Sequence, residues 1–152
     1  MAELGVAASV LQLVDVGTRV VLAISQLATR LREVPAKVRV IEAHVKHLLT
    51  LLTELQRNRN FSSLSPTSQD EVKTVLQDCV DHVDQLSRLL EKIISKADDS
   101  AVRRGWKAIC SVNKERSLDS IYLQIERNNS LLALWLAHDQ RCVQYTMRSF
   151  IF

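Results

Sequence analysis

Glycine and proline are nearly missing from this chain, with three Gly and two Pro in 152 residues. Tight turns depend on those two residues, so few turns are expected and an all-helical protein is indicated. A glycine-rich loop of the kind that cradles phosphate is excluded as well. Aromatic residues make up only 5%, and no basic stripe runs along a helix. With a net charge of +3, the balance suits an anionic membrane surface but does not point to nucleic acid. Cysteine is scarce and odd in number. Cys79, Cys110 and Cys142 lie scattered within apolar patterns and read as reduced, buried thiols of an intracellular protein, not as a disulfide frame. Internal repeats and low-complexity segments are also absent.

What is plentiful is Leu, Val, Ala, Glu, Gln, Lys and Arg, the vocabulary of helices. The most informative stretch is the first, LGVAASVLQLVDVGTRVVLAISQLA from Leu4 to Ala28. At helical spacing its one clearly polar stripe is narrow: Gln12, Asp15, Arg19 and Gln26, continuing to Arg30 and Glu33. A surface helix is normally apolar on one stripe and polar on the rest. This one reverses the rule, so it is expected to be surrounded by protein, by lipid, or by each in turn. In a closed fold it reads as the central core helix. It starts at Met1, a position from which a segment could leave a fold without unthreading the chain.

A signal peptide fits poorly, because Glu3 replaces the usual basic start and Asp15 and Arg19 interrupt the apolar stretch. A permanent transmembrane helix is finely balanced. The aliphatic residues from Leu4 to Ile24 favour the bilayer by roughly 3–7 kcal/mol, against about 5–7 for a central Asp15 and Arg19. Four residues apart, these two charges can pair on one face and reduce that opposition.

The remaining helices follow from punctuation. Helix one is expected over about Ala2–Glu33, with a weak point or kink at Gly17. Pro35 forces a tight reversal and opens helix two in its first turn, running to about Arg57. Val38, Ile41, Val45, Leu48, Leu52 and Leu55 alternate three and four apart, as in a bundle seam. Asn58 to Ser65 reads as a loop. Ser65 caps helix three with Pro66 at its first position, and this helix is expected to fade at Asp98–Ser100. A short connector helix follows around Val102 to Ile109. The last long helix runs from near Asn113 to about Met147, and Asn128 and Asn129 interrupt its apolar stripe, so one of them needs a partner at a core edge. The expected architecture is an all-α, antiparallel up-down four-helix bundle with a short connector helix before the last. It occupies residues 1–148 as one domain, with 149–152 as a tail.

No constellation supports catalysis, and neither a cofactor nor a metal is indicated. His44 and His47 could share a face, but no Glu-x-x-His or Cys-x-x-Cys accompanies them. His82 reads as solvated, Asp78, Asp81 and Asp84 as a solvated face, and His138 beside Asp139 as half a relay with no nucleophile. The connector is the chain's only basic–aromatic cluster. Arg103, Arg104 and Lys107 could meet lipid phosphates with Trp106 at the interface; alternatively, and more simply, Trp106 plugs one end of the bundle.

Several of these residues carry a resemblance. The opening MAELGVAASVLQLVDVG, the break at Pro35, VLQDCVDHVDQLSRLL, and Trp106-Lys107 leading into Ser117-Leu118 and the Leu131–Leu136 helix resemble the HeLo-like group, especially its SesA-like branch. Those are N-terminal domains of fungal STAND proteins, the NLR-like immune receptors. Many members have Pro-Phe after the Trp, where this chain has Lys107-Ala108-Ile109. The resemblance implies a non-enzymatic helical effector of regulated cell death, cytoplasmic at rest and moving to the plasma membrane on activation. Its implied partners are further copies of itself once activated, membrane lipids, and an NLR-like receptor region in cis or in trans, with no nucleic acid. The segment that would enter the membrane comprises Leu4, Gly5, Val6, Val10, Leu11, Leu13, Val14, Val20, Val21 and Ile24, with Asp15 and Arg19 limiting insertion. The alternative is a non-lytic adaptor that recruits partners by helix–helix contact.

Overall fold

A computed structural model of the chain describes the backbone of residues 2–31, 35–57, 65–109 and 112–149, and the side chains of residues 5–31, 35–57, 65–108 and 118–138. It contains five helices: α1 (Ala2–Arg30), α2 (Ala36–Arg57), α3 (Pro66–Ile94), α4 (Asp99–Ile109) and α5 (Val112–Ser149). The expected all-helical bundle with a connector helix is what forms.

Local chemistry sets most boundaries. Pro35 stands one residue outside α2, where its carbonyl accepts from Val38 N at 3.0 Å and Arg39 N at 3.4 Å. It therefore caps the helix instead of occupying its first turn. Ser65 caps α3 as expected, its Oγ accepting from the Ser68 amide at 3.2 Å, with Pro66 following. The far end of α3 differs from expectation. The helix stops at Ile94, and Asp98 opens α4 instead of closing α3: its Oδ1 accepts from the Ala101 amide at 2.6 Å. An aspartate before a helix satisfies a free amide and faces the positive end of the dipole, which makes it a start signal.

One apolar core joins all five helices. Leu13, Val20 and Leu27 of α1 are fully buried, as are Val45, Leu48 and Leu52 of α2, and Leu76 and Val83 of α3. Directions alternate along the chain as in an up-down bundle, but the order in space differs from it: α1 and α3 are neighbours without being successive, and α2 and α3 are successive without packing closely on each other. Lys73 of α3 packs over Gly5, while Arg30 reaches Ile94, so α1 and α3 run parallel. Lys37 pairs with Asp119 and His44 lies near Glu126, so α2 and α5 also run parallel. The ring order is α1, α2, α5, α3, with α1 most extensively packed on α3. The α2–α3 link therefore crosses a diagonal.

The first helix is not central. It is one of four perimeter helices, and its outer side carries exposed Ala7, Ala8, Leu11, Gln12, Asp15, Thr18, Arg19 and Leu22. It also continues unbroken through Gly17. A Cβ at Gly17 would come within 2.9 Å of Leu49 Cδ2, so that glycine serves close approach of α1 to α2, not a kink.

Candidate interaction face of the first helix

Because α1 is apolar nearly all round, the core selects which residues it takes. Val6, Val10, Leu13, Val20 and Ile24 face inward and are buried, Val14 and Val21 are half-buried, and Gly5 lies beneath Lys73. Of the apolar residues assigned to the membrane-active segment, Leu11 alone among those with described side chains faces water, 63% exposed. The Leu4 side chain lies outside the described residues. Leu22, which that assignment missed, is 58% exposed on the same side. From Gly5 to Arg30, 26 residues are long and apolar enough to cross a membrane by length and composition, and 44% of that span's apolar window is buried in the bundle.

Asp15 and Arg19 pair at 3.0 Å on the outer side. At that exposure the pair contributes less than about 1 kcal/mol to the fold. Three further polar side chains of α1 bond within their own helix: Ser9 donates to Gly5 O, Thr18 to Val14 O and Thr29 to Gln26 O. Arg30 is the exception. Its guanidinium donates to Asp99 Oδ1 at 2.9 Å, Ile94 O at 2.6 Å and Lys96 O at 3.0 Å. Among the described residues it is the only α1 side chain hydrogen-bonded to another segment. It places a positive charge on the carbonyl-rich end of α3, where the helix dipole is negative, and joins that end to the start of α4.

The seam between α2 and α5 is built differently. Lys37 Nζ pairs with Asp119 Oδ1 at 2.6 Å. His44 Nε2 lies 4.0 Å from Glu126 Oε1, and its ring lies 4.9 Å from that of Tyr122. Asn129 Nδ2 donates to His44 O at 3.0 Å. Both Asn128 and Asn129 are buried, where one was expected at a core edge. Among the described residues Asn128 Nδ2 and Asn129 Oδ1 have no hydrogen-bond partner. Asn128 lies against Cys79 of α3, whose thiol is pushed up to about 12, chiefly by burial. A thiol so hard to ionise is a poor nucleophile at neutral pH.

The basic connector is α4. Arg103, Arg104 and Lys107 are exposed, whereas Trp106 is 7% exposed and joins the core. In this conformation any headgroup contact falls to the three cations, and Trp106 closes the bundle beneath them. Among the described residues no group of three or more His, Cys, Asp and Glu is placed to hold a metal. His47 is exposed. The half-buried His82 lies on its own helix, with Nδ1 2.6 Å from Asp78 O. The side chains of Cys110, Asp139 and Cys142 lie outside the described residues.

No curated protein and no solved structure matches the chain. Residues 7–132 match the SesA family, described as an N-terminal domain on NACHT NTPases and P-loop NTPases. That span takes in the Asp15–Arg19 pair, the Arg30 clamp, the α4 cations and the Asn128–Asn129 layer. Matched over most of its length, the chain belongs to the SesA family of N-terminal domains on NACHT NTPases and P-loop NTPases.

Proposed function

We propose that the chain is a non-enzymatic signalling and effector domain that perturbs membranes through α1 once an NTPase region clusters it. The observation that carries this reading is the seam of α1. The segment is long enough to span a bilayer, buries mainly aliphatic side chains, bonds Ser9, Thr18 and Thr29 within itself, and among the described residues ties a side chain to another segment at Arg30. A helix that buries mainly hydrocarbon, with its one buried hydroxyl, Ser9, bonded to its own backbone, can exchange a protein neighbour for a lipid one. Asp15 and Arg19 hold the insertion balance near zero, so assistance is needed. Clustering supplies it by raising effective concentration. In this reading the protein is cytoplasmic at rest and moves to the plasma membrane on activation. Its partners are further copies of itself, anionic lipids and an NLR-like receptor region in cis or in trans.

The test is dye release from anionic liposomes by the chain fused to an oligomeriser. Leu11 faces solvent in the bundle, so Leu11→Glu leaves the core intact. We expect it to reduce release at least about tenfold, because a charge opposes insertion by about 2.5–3.5 kcal/mol. Asp15→Asn removes such a charge and is expected to raise release. Equal release from all three proteins would sink the α1 mechanism. A second reading, a non-lytic adaptor, is favoured by Leu123 and Leu134, which stand 57% and 67% exposed on α5. It predicts no release from any of them.

A further inference from the structure

The outer side of α1 carries a regular pattern that no helix of this chain covers. Leu11 and Leu22 are eleven residues apart, which returns an α-helix to within about 20° of the same direction. Asp15 and Thr18 lie between them on that stripe, and Ala8 and Ser25 lie beyond, all exposed. The steps alternate three and four residues, the heptad spacing of a two-helix seam. The stripe also reads onto itself when reversed. About a midpoint between Val16 and Gly17, Leu11 exchanges with Leu22, Asp15 with Thr18, and Ala8 with Ser25.

We infer that this face pairs with the same face of a second copy of the chain, antiparallel about a two-fold axis, to give a resting homodimer in solution. A two-fold interface uses one self-complementary patch twice, and this stripe is such a patch. In the antiparallel pair Leu11 packs on Leu22 of the partner subunit, on both sides of the axis. Asp15 meets Thr18 of the partner subunit and comes within reach of Arg19 of the partner subunit. Each carboxylate then sits between two guanidinium groups, its own at 3.0 Å and its neighbour's. A parallel pair would place Asp15 against Asp15, and like charges on a helical seam oppose pairing. Charge therefore selects the antiparallel arrangement. The contact is small, so dissociation in the range of about 1–100 µM is expected. The inference concerns the closed bundle in solution and does not rest on the membrane reading. The dimer would cover the two outward leucines of α1 while the bundle is shut.

Sedimentation equilibrium of the chain without lipid tests this. The unaltered protein is expected to associate to a dimer. Leu22→Glu, at an exposed site, is expected to be monomeric with unchanged helicity. Asp15→Arg alone and Arg19→Asp alone should each weaken association at least about tenfold, and the double exchange should restore it. Orientation is read by cross-linking in a background with Cys110→Ser and Cys142→Ser. A mixture of Leu11→Cys and Leu22→Cys chains should form the mixed disulfide, and Leu11→Cys alone should not. A monomer over the whole concentration range, failure of the double exchange to restore association, or preferential cross-linking of Leu11→Cys to itself would each overturn the proposal.

Discussion

The seam that holds α1 and the seam that holds α5 solve the same packing problem with opposite chemistry. α5 is tied to α2 over residues 119–129 by the Lys37–Asp119 pair and the Asn129 bond to His44 O, with His44 Nε2 4.0 Å from Glu126 Oε1. α1 lies on α3 through aliphatic side chains, and among the described residues its cross-segment side-chain hydrogen bonds gather at one residue, Arg30, at its last turn. Polar ties fix register and orientation, because each demands one geometry. Apolar burial is non-directional, and any dry surface satisfies it. The difference separates the helix whose position is specified from the helix whose burial alone is specified.

Deleting apolar volume on α1 should give the largest effect. Leu13→Ala is expected to cost about 2–5 kcal/mol in urea unfolding, because Leu13 is fully buried. A much smaller loss would mean that hydrocarbon does not hold α1. Arg30→Ala comes next. Three donors to one end of α3 and α4 are lost from a partly exposed site, and about 1–3 kcal/mol is expected. Hydrogen exchange should rise in the last turns of α1 and stay unchanged in α5. Arg30→Lys should recover little of this, since an ammonium cannot fork to three acceptors so placed. Asn128→Leu should give the smallest effect and the opposite sign. It removes a buried amide nitrogen without a partner, so a gain of about 1 kcal/mol is expected. A loss of similar size would show that Asn128 is paired and that the polar layer contributes to stability as well as register.

The spans of the helices were legible from punctuation, and the reason is local. Ser65-Pro66 is a cap whose whole mechanism lies within four residues. Asp98 was legible too and was assigned the wrong sense, since an aspartate after an apolar helix reads as its end until the next helix is seen to start there. The face of α1 was not legible. When Leu, Val and Ala run right round a cylinder, periodicity does not say which leucines face the core, so Leu11 and Leu22 were indistinguishable from Leu13 and Leu27. The burial of both Asn128 and Asn129 was hidden for a similar reason: α5 presents them to two different neighbours, α3 and α2, and a single stripe does not reveal two. Arg30 reads from sequence only as part of a polar stripe because its partners lie 64 to 69 residues away.

The place of Arg30 roots α1 at its carboxyl end. At 1.5 Å per residue its 29 residues make a rod of about 44 Å, against roughly 30 Å of hydrocarbon in a bilayer. A rod that swings outward on that pin moves its amino end farthest, with the remaining helices standing as its base. Under the proposed function, that length would reach across one bilayer core without the base having to enter.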